Sequence, residues 1–289
     1  MELPKALSQH LADKTELSIT GSEPLSGGSI NRAAKLKTPG GDLFLKWNTG
    51  APRDMFEKEK KGLQLLERAA TNIRVPEVID LNSGDNSLPG YLLMTYIEPH
   101  RGSREASCGF GEQLAALHSH TEEDFGLSYD NYIGRLPQSN RKHPGWTDFF
   151  IRERIEPQLK RALDADVLEP SVMKQWNRLA ARLPDLFPEA RPSLLHGDLW
   201  GGNYFFSTEK QPVLFDPAVY YGHPEMELAF TKMFGGFSDA FYDAYAGSGT
   251  LEPGFSERIP VYNLYPLLVH VNLFGGHYAA QVRSFLKHY

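Results

Sequence analysis

The hydrophobic pattern of this chain turns from mainly strand-like to helical near residue 100, and that change restricts the fold more than any other feature. Before it, apolar and polar residues alternate as they do in half-buried strands. "ELSITG" (16–21), "RAAKLKT" (32–38), "DLFLKW" (42–47) and the apolar run "YLLMTYI" (91–97) are expected strands, with "LSGGSIN" (25–31) and "PGG" (39–41) as turns. Two helices interrupt them. Leu3, Leu7 and Leu11 recur every four residues, and in "MFEKEKKGLQLLERAA" (55–70) Phe56, Leu63, Leu66 and Ala70 share one face. After "EPHRG" (98–102) the stripes are helical: Phe110, Leu114 and Leu117; then Phe150, Ile151, Ile155, Leu159 and Leu163, with Pro157 expected to kink the helix; then Val172, Trp176, Leu179 and Leu183. Strands first and helices later predict an α+β chain in two lobes, 1–96 and 97–289, joined near residues 95–101. A ligand is expected in the cleft between them.

Composition limits what that ligand can be. At 289 residues the chain can bury two cores, and 41% apolar with 23% charged residues is ordinary for a globular protein. A net charge of −6 argues against a nucleic-acid partner, which would call for a basic surface. The single cysteine, Cys108, excludes an internal disulfide and fits a reducing compartment. The start of the chain shows no signal-peptide pattern, and "YPLLVHVNLF", the best candidate span, is interrupted by Pro266, His270 and Asn272. We expect a cytoplasmic monomer without a membrane partner.

The chemistry concentrates in "SLLHGDLWGGNYFF" (193–206). Asp198 and Asn203 are spaced Asp-x4-Asn, and Asp216 ends the apolar run "PVLFD" thirteen residues after Asn203. Phosphoryl transfer in protein kinases uses this order: a carboxylate beside the attacking hydroxyl, then an Asn and a second Asp at Mg²⁺. The hard ion takes oxygen donors, and a separate carboxylate holds the nucleophile in line. Upstream parts follow the same order. Gly27 and Gly28 could admit phosphates to backbone N–H groups, Lys46 lies in the third strand, and Glu59 stands thirteen residues later on the helix. No G-x-x-x-x-G-K-[ST] is present, so a P-loop enzyme is not supported. Each residue alone has an ordinary structural reading. The Asp198–Asn203 segment could be a capped turn, Lys46 and Glu59 solvated surface charges, and Gly27–Gly28 a hairpin turn.

"LSGGSIN", "FLKWN", "MFEKEKKGLQLL", "LLHGDLWGGN", "VLFDPAVYYGHPEMELAF" and "KMFGGF" resemble the fructosamine kinase (ketosamine-3-kinase) family. The resemblance runs over nearly the whole chain, and "HGDLWGGN" followed by "DPAVYYGHPE" is its most specific part. It implies the bilobal protein-kinase-like fold shared with aminoglycoside and choline kinases. It further implies ATP and Mg²⁺ as cofactors and a ketosamine, free or protein-bound, as substrate. Position by position, it implies Asp198 as base and Asn203 and Asp216 as Mg²⁺ ligands, with Lys46 gripping the phosphates and Glu59 as its partner. Gly27, Gly28 and Ser29 would form the phosphate loop, and Thr95, Tyr96 and Ile97 the hinge that meets adenine. Thr95 replaces an acidic residue usual in the family, Glu227 stands where Asp is more usual, and Ser29 replaces a loop cysteine of some relatives, which removes a redox switch there.

His-Gly-Asp lacks the arginine of signalling kinases, Asp216–Pro217 lacks their Phe-Gly, and no Ala-Pro-Glu follows, so a constitutively formed metabolic kinase is expected. Trp200 is expected to wall the substrate site. His223 is expected to cap a helix rather than bind metal, and Tyr220, Tyr221 and the aromatics from Tyr262 to Tyr289 are expected to pack. The rival readings are a kinase of the same fold acting on an aminoglycoside, choline or thiosugar, and a nucleotide-binding module without catalysis.

Overall fold

The computed structural model describes residues 3–15, 18–25, 30–69, 72–85, 87–249 and 251–289. Gly27, Gly28 and Ser29 lie outside the described residues, as does Ala70.

The N-terminal region is a five-stranded antiparallel sheet with one helix on each face. In chain order it comprises α1 (Lys5–Thr15), β1 (Gly21–Leu25), β2 (Arg32–Lys37), β3 (Leu43–Asn48), α2 (Met55–Ala69), β4 (Val78–Asn82) and β5 (Gly90–Thr95), with strand order β1-β2-β3-β5-β4. Successive side chains on a strand face opposite ways, and that alternation sorts the two cores. Leu45, Trp47, Tyr91 and Leu93 pack under Leu7 and Leu11 of α1, whereas Leu92 and Met94 pack against Phe56 and Leu63 of α2, with Phe44 at the margin. Lys46 lies between Leu45 and Trp47 and so turns toward α2; it pairs in register with Leu92.

The central strands and α2 form where their alternation and apolar stripe predict. The first strand does not: it runs over Gly21–Leu25 rather than 16–21, of which residues 16 and 17 lie outside the described residues. As the sheet's edge it tolerates Pro24, whose missing N–H would break a central ladder. The other edge, β4, with its irregularity between Val78 and Asp80, is also absent from the sequence reading.

The remainder is mostly helical: α3 (Arg104–His118), the hairpin β6 (Asn131–Ile133) and β7 (Leu136–Gln138), α4 (Trp146–Phe149), α5 (Glu156–Asp164), α6 (Val172–Ala180), α7 (Leu183–Leu186), β8 (Ser193–Leu195), β9 (Tyr204–Phe206), β10 (Pro212–Leu214), β11 (Tyr220–Gly222), α8 (Pro224–Met233), α9 (Asp239–Ala246), α10 (Phe255–Tyr262), α11 (Leu264–Phe274) and α12 (Gly276–Leu286). The irregularity falls where Pro157 predicts a break: a π-helical turn over Phe150–Ile155 joins α4 to α5 directly before Pro157, the second residue of α5, which withholds an N–H from the helical ladder. The wider turn buries Arg154, which donates to the Ser139 carbonyl (2.6 Å) and Asn140 Oδ1 (2.8 Å) and lies 3.9 Å over the Tyr220 ring. Those contacts tie the β6–β7 hairpin to β11 and so brace the segment after Asp216. No helix among the described residues is long and apolar enough to cross a membrane.

Candidate active site

Two short antiparallel pairs assemble the site. In the β9–β10 hairpin Tyr204 pairs with Leu214, so Asn203, just before it, meets Phe215, just after it; the Phe215 N–H reaches the Asn203 carbonyl at 3.3 Å. This is the physical meaning of the thirteen-residue spacing: a hairpin returns Asp216 to Asn203. In the second pair Leu195 of β8 faces Tyr220 of β11, which lays 196–198 along 216–219. His196 clamps the two. Its Nε2–H donates to the Phe215 carbonyl (2.9 Å), its Nδ1 accepts the Asp198 N–H (3.3 Å), and its own carbonyl accepts the Ala218 N–H (2.9 Å). Burial holds this imidazole below its ordinary pKa, so it works as a neutral donor and acceptor.

Two backbone positions show why these residue types stand here. Gly197 has φ +84°, and a Cβ there would lie 2.1 Å from the Ala218 carbonyl oxygen. A side chain is therefore excluded by conformation and by space. Asp216 itself has φ +56°, a strained value for a residue with a Cβ, held by the strands on either side.

The charged groups converge on one cleft of about 420 Å³ between the sheet and the helical region. Lys46 is buried. Its Nζ lies 3.0 Å from both carboxylate oxygens of Glu59 and also bonds Asp216 Oδ1. Burial opposes the ammonium charge, but Asp216 and Glu59 outweigh it and hold the amine above its ordinary pKa. Two carboxylates share one cation, so one is disfavoured: burial and the Asp216 charge raise Glu59, against the pull of Lys46. Asp198 lies on the cleft floor. Burial and the charge of Asp216 raise its carboxyl well above the ordinary value, although Asn203 and Lys46 favour ionisation. Asn203 Nδ2 donates to the Asp198 carbonyl (2.8 Å) and to its Oδ2 (2.9 Å), which leaves the Asn203 amide oxygen as a donor for a cation.

The resulting donor set suits Mg²⁺: an amide oxygen and a carboxylate, both hard. Among the described residues no cluster of three or more His, Cys, Asp or Glu could hold a metal alone. A cation here would draw its remaining ligands from phosphate and water, as Mg²⁺ commonly does.

At the hinge, the Thr95 N–H is bonded to the Glu77 carbonyl (2.9 Å) and the Tyr96 N–H to the Asp42 carbonyl (3.1 Å). Of the three predicted residues, Ile97 alone makes no backbone N–H bond among the described residues. Thr95 also turns its hydroxyl away, accepting the Glu77 N–H at 3.0 Å. Trp200 lines the cleft, and its ring covers Gly202 so closely that a Cβ there would come within 2.3 Å of it. His223 caps α8 through the Glu225 N–H (3.1 Å), and Tyr220 stacks on Phe149 at 5.6 Å. His223 is thus a helix cap and Tyr220 a packing residue, the structural roles expected of them. Of the terminal aromatics, Tyr262 and Tyr265 are core, but Phe274 is 52% exposed.

Sequence reasoning missed how the catalytic loop is anchored. Glu227 of α8, buried, accepts the backbone N–H groups of His196 (3.0 Å) and Gly197 (2.7 Å) and the Nε2–H of His118 (3.1 Å). Tyr245 of α9 completes the chain, its hydroxyl 2.7 Å from His118 Nδ1. Burial pushes Glu227 upward, yet these donors overcome it and hold its carboxyl below the ordinary value.

The sequence profile of the fructosamine kinase family matches residues 3–289. The chain belongs to the fructosamine kinase family. It is 38% identical over 268 residues to a probable ketoamine kinase of Enterococcus faecium, covering 92% of this chain and 94% of that one. It is 34% identical to the ketosamine-3-kinase of Mus musculus over 297 residues, covering 90% and 92%. A crystal structure of a fructosamine-3-kinase-type protein from Thermobifida fusca superposes with a TM-score of 0.85 at 30% identity, over 97% of each chain. Members of this family are kinases that phosphorylate a sugar hydroxyl, and this chain has their bilobal kinase-like α+β fold.

Proposed function

We propose that this family member transfers the γ-phosphoryl group of ATP to the 3-hydroxyl of a ketosamine, free or protein-bound, as a deglycation step requires. The observation that carries the reading is the convergence of Lys46, Asp198, Asn203 and Asp216 on one cleft, with Glu59 already paired to the lysine. Residues 1–96 would bind the nucleotide and 97–289 the acceptor. The Ile97 N–H would meet adenine, and the segment 27–29 would cover the phosphates.

Asp198 would accept the proton of the substrate hydroxyl. Its raised pKa brings it nearer to a useful base, and the Asn203 amide fixes its carboxylate toward the acceptor. Asn203 and Asp216 would hold Mg²⁺, which when bound neutralises charge on the transferring phosphoryl group. Lys46 would leave Asp216 for the α- and β-phosphates while keeping Glu59. Trp200, two residues from the base, would give the sugar a flat apolar wall. Most of the catalysis would then be positioning and charge stabilisation. The single cysteine, Cys108, suits a reducing cytoplasm, and a monomer contains every group invoked.

The test is ADP release with fructosyl-lysine, an aminoglycoside, choline and a thiosugar, followed by ³¹P NMR of the product. Selective turnover of the ketosamine with phosphate on O3 is expected. Turnover of another acceptor alone, or ATP binding with no turnover, would overturn the assignment.

A further inference from the structure

The wall at Trp200 does not end there. The Trp200 ring meets Phe234 edge-on (centroids 6.2 Å apart), Phe234 meets His270 (4.9 Å), and His270 meets both Phe274 (5.5 Å) and Tyr278 (5.0 Å). These rings come from the loop that carries Asp198, from the residue that ends α8, and from α11 and α12, so the strip is a tertiary feature with no sequence signature. Among the described residues the exposed large apolar side chains are Ile79, Phe234 (42%) and Phe274 (52%), and two of the three belong to this strip. Two exposed rings bridged by a half-buried imidazole and continuous with the cleft at Trp200 mark a ligand surface better than scattered ones do.

The strip is preformed. Gly235 and Gly236, which follow Phe234, lie against Gly201: a Cβ on Gly236 would come within 2.9 Å of the Gly201 Cα, and one on Gly201 within 3.1 Å of the Gly235 carbonyl. Tyr204 locks the same loop by donating to the Gly236 carbonyl at 2.7 Å. Phe234 is thus held beside Trp200. The strip is also uncharged. His270 Nδ1–H donates to the Pro266 carbonyl at 2.7 Å, and burial holds the imidazole below its ordinary pKa.

A ketosamine carries its amine on C1, two carbons from the acceptor at C3. With O3 at Asp198 and the sugar on Trp200, the substituent on nitrogen must leave along the cleft mouth. We propose that Phe234, His270 and Phe274 form a subsite, continuous with Trp200, that takes an apolar or aromatic substituent on the amine nitrogen of the ketosamine. This rests on the ketosamine reading above. None of the three residues offers an opposite charge to the free ammonium and carboxylate of a lysine-derived substituent, so such a substrate gains less here.

The experiment compares the fructose ketosamines of benzylamine and methylamine, assayed with the full chain, ATP and Mg²⁺. The benzyl compound should show a kcat/KM about tenfold higher, the advantage residing in KM. Phe234→Ala and Phe274→Ala should each raise KM for the benzyl compound about fivefold, with KM for the methyl compound and for ATP unchanged. Phe274→Ala, at the more exposed position, carries the test if Phe234→Ala lowers the melting temperature. Equal wild-type efficiency on the two sugars, or parallel losses on both in the variants, would overturn the subsite and leave the kinase reading intact. Phosphorylation of neither sugar would overturn both.

Discussion

Replacing Glu227 by Gln isolates the anchor beneath the catalytic loop without removing any group that touches substrate. Three N–H donors converge on this carboxylate: Oε1 takes Gly197, and Oε2 takes His196 and His118. An amide has one acceptor oxygen. Placed to lose least, its NH₂ faces the Gly197 N–H, donor against donor. A charge-assisted hydrogen bond contributes about 1.5–3 kcal/mol, and an unpartnered buried donor adds its desolvation, so the total loss is about 3 kcal/mol. At ~2–4 °C per kcal/mol for a domain of this size, the melting temperature should fall by about 6–12 °C. Gly197 adjoins Asp198, and misplacing a reacting group by ~1 Å costs on the order of 10²-fold. We predict that kcat falls by that order while KM for ATP holds, because Lys46 and Ile97 are untouched. The pH dependence has a definite sign. The Glu227 carboxyl lies below its ordinary value of 4.5, so its contribution is complete above that pH and is lost as pH falls below it. The melting difference between wild type and Glu227→Gln should therefore shrink in acid. Thermal denaturation at pH 7 and at pH 4 and below, with coupled ADP-release kinetics at pH 7, reads all three effects. A variant that melts within 2 °C of wild type and keeps its kcat would refute the anchoring argument.

Asp198→Ala should lower turnover by about 10²–10⁴-fold, the usual contribution of a positioned base, while a nucleotide titration still reports ATP binding; normal turnover would remove Asp198 from the mechanism. Asp216→Ala should weaken ATP binding in the presence of Mg²⁺ and leave metal-free binding less affected, since it removes the carboxylate assigned to the cation; calorimetry with and without EDTA distinguishes the two. The Asp198 carboxyl is raised above its ordinary value of 3.8, so the acid limb of kcat/KM should fall off at a pH above that value. A plateau extending down to pH 4 would contradict the assignment.

What the sequence made legible divides by physical origin. The strands β3 and β5 were readable because both faces are largely buried and their side chains run apolar, and β2 because its buried residues, Ala34 and Leu36, alternate with less buried ones. The edges β1 and β4 were not, because Pro24, Ser22 and Asp80 are tolerated where one side of the ladder faces solvent. Asp198, Asn203, Asp216, Lys46 and Glu59 were readable as an ordered set, since each sits at a fixed offset from a local element. The anchor Glu227–His118–Tyr245 was not, since His118 of α3 lies 109 residues from Glu227 and 127 from Tyr245. One signal was available: a glutamate inside the apolar run "MELAF" is a charge that must find a partner when buried. The π-turn at 150–155 was legible only through Pro157 beside it, because a widened hydrogen-bond pattern has no residue signature of its own.

The glycine at 197 also closes one route of control at this position. With the Ala218 oxygen occupying the space where a side chain would begin, the loop has no room for the arginine through which signalling kinases sense a distant phosphate. A phosphate placed on a neighbouring segment would therefore find no cationic side chain at this position to answer it, only the packed backbone of Gly197 and Ala218.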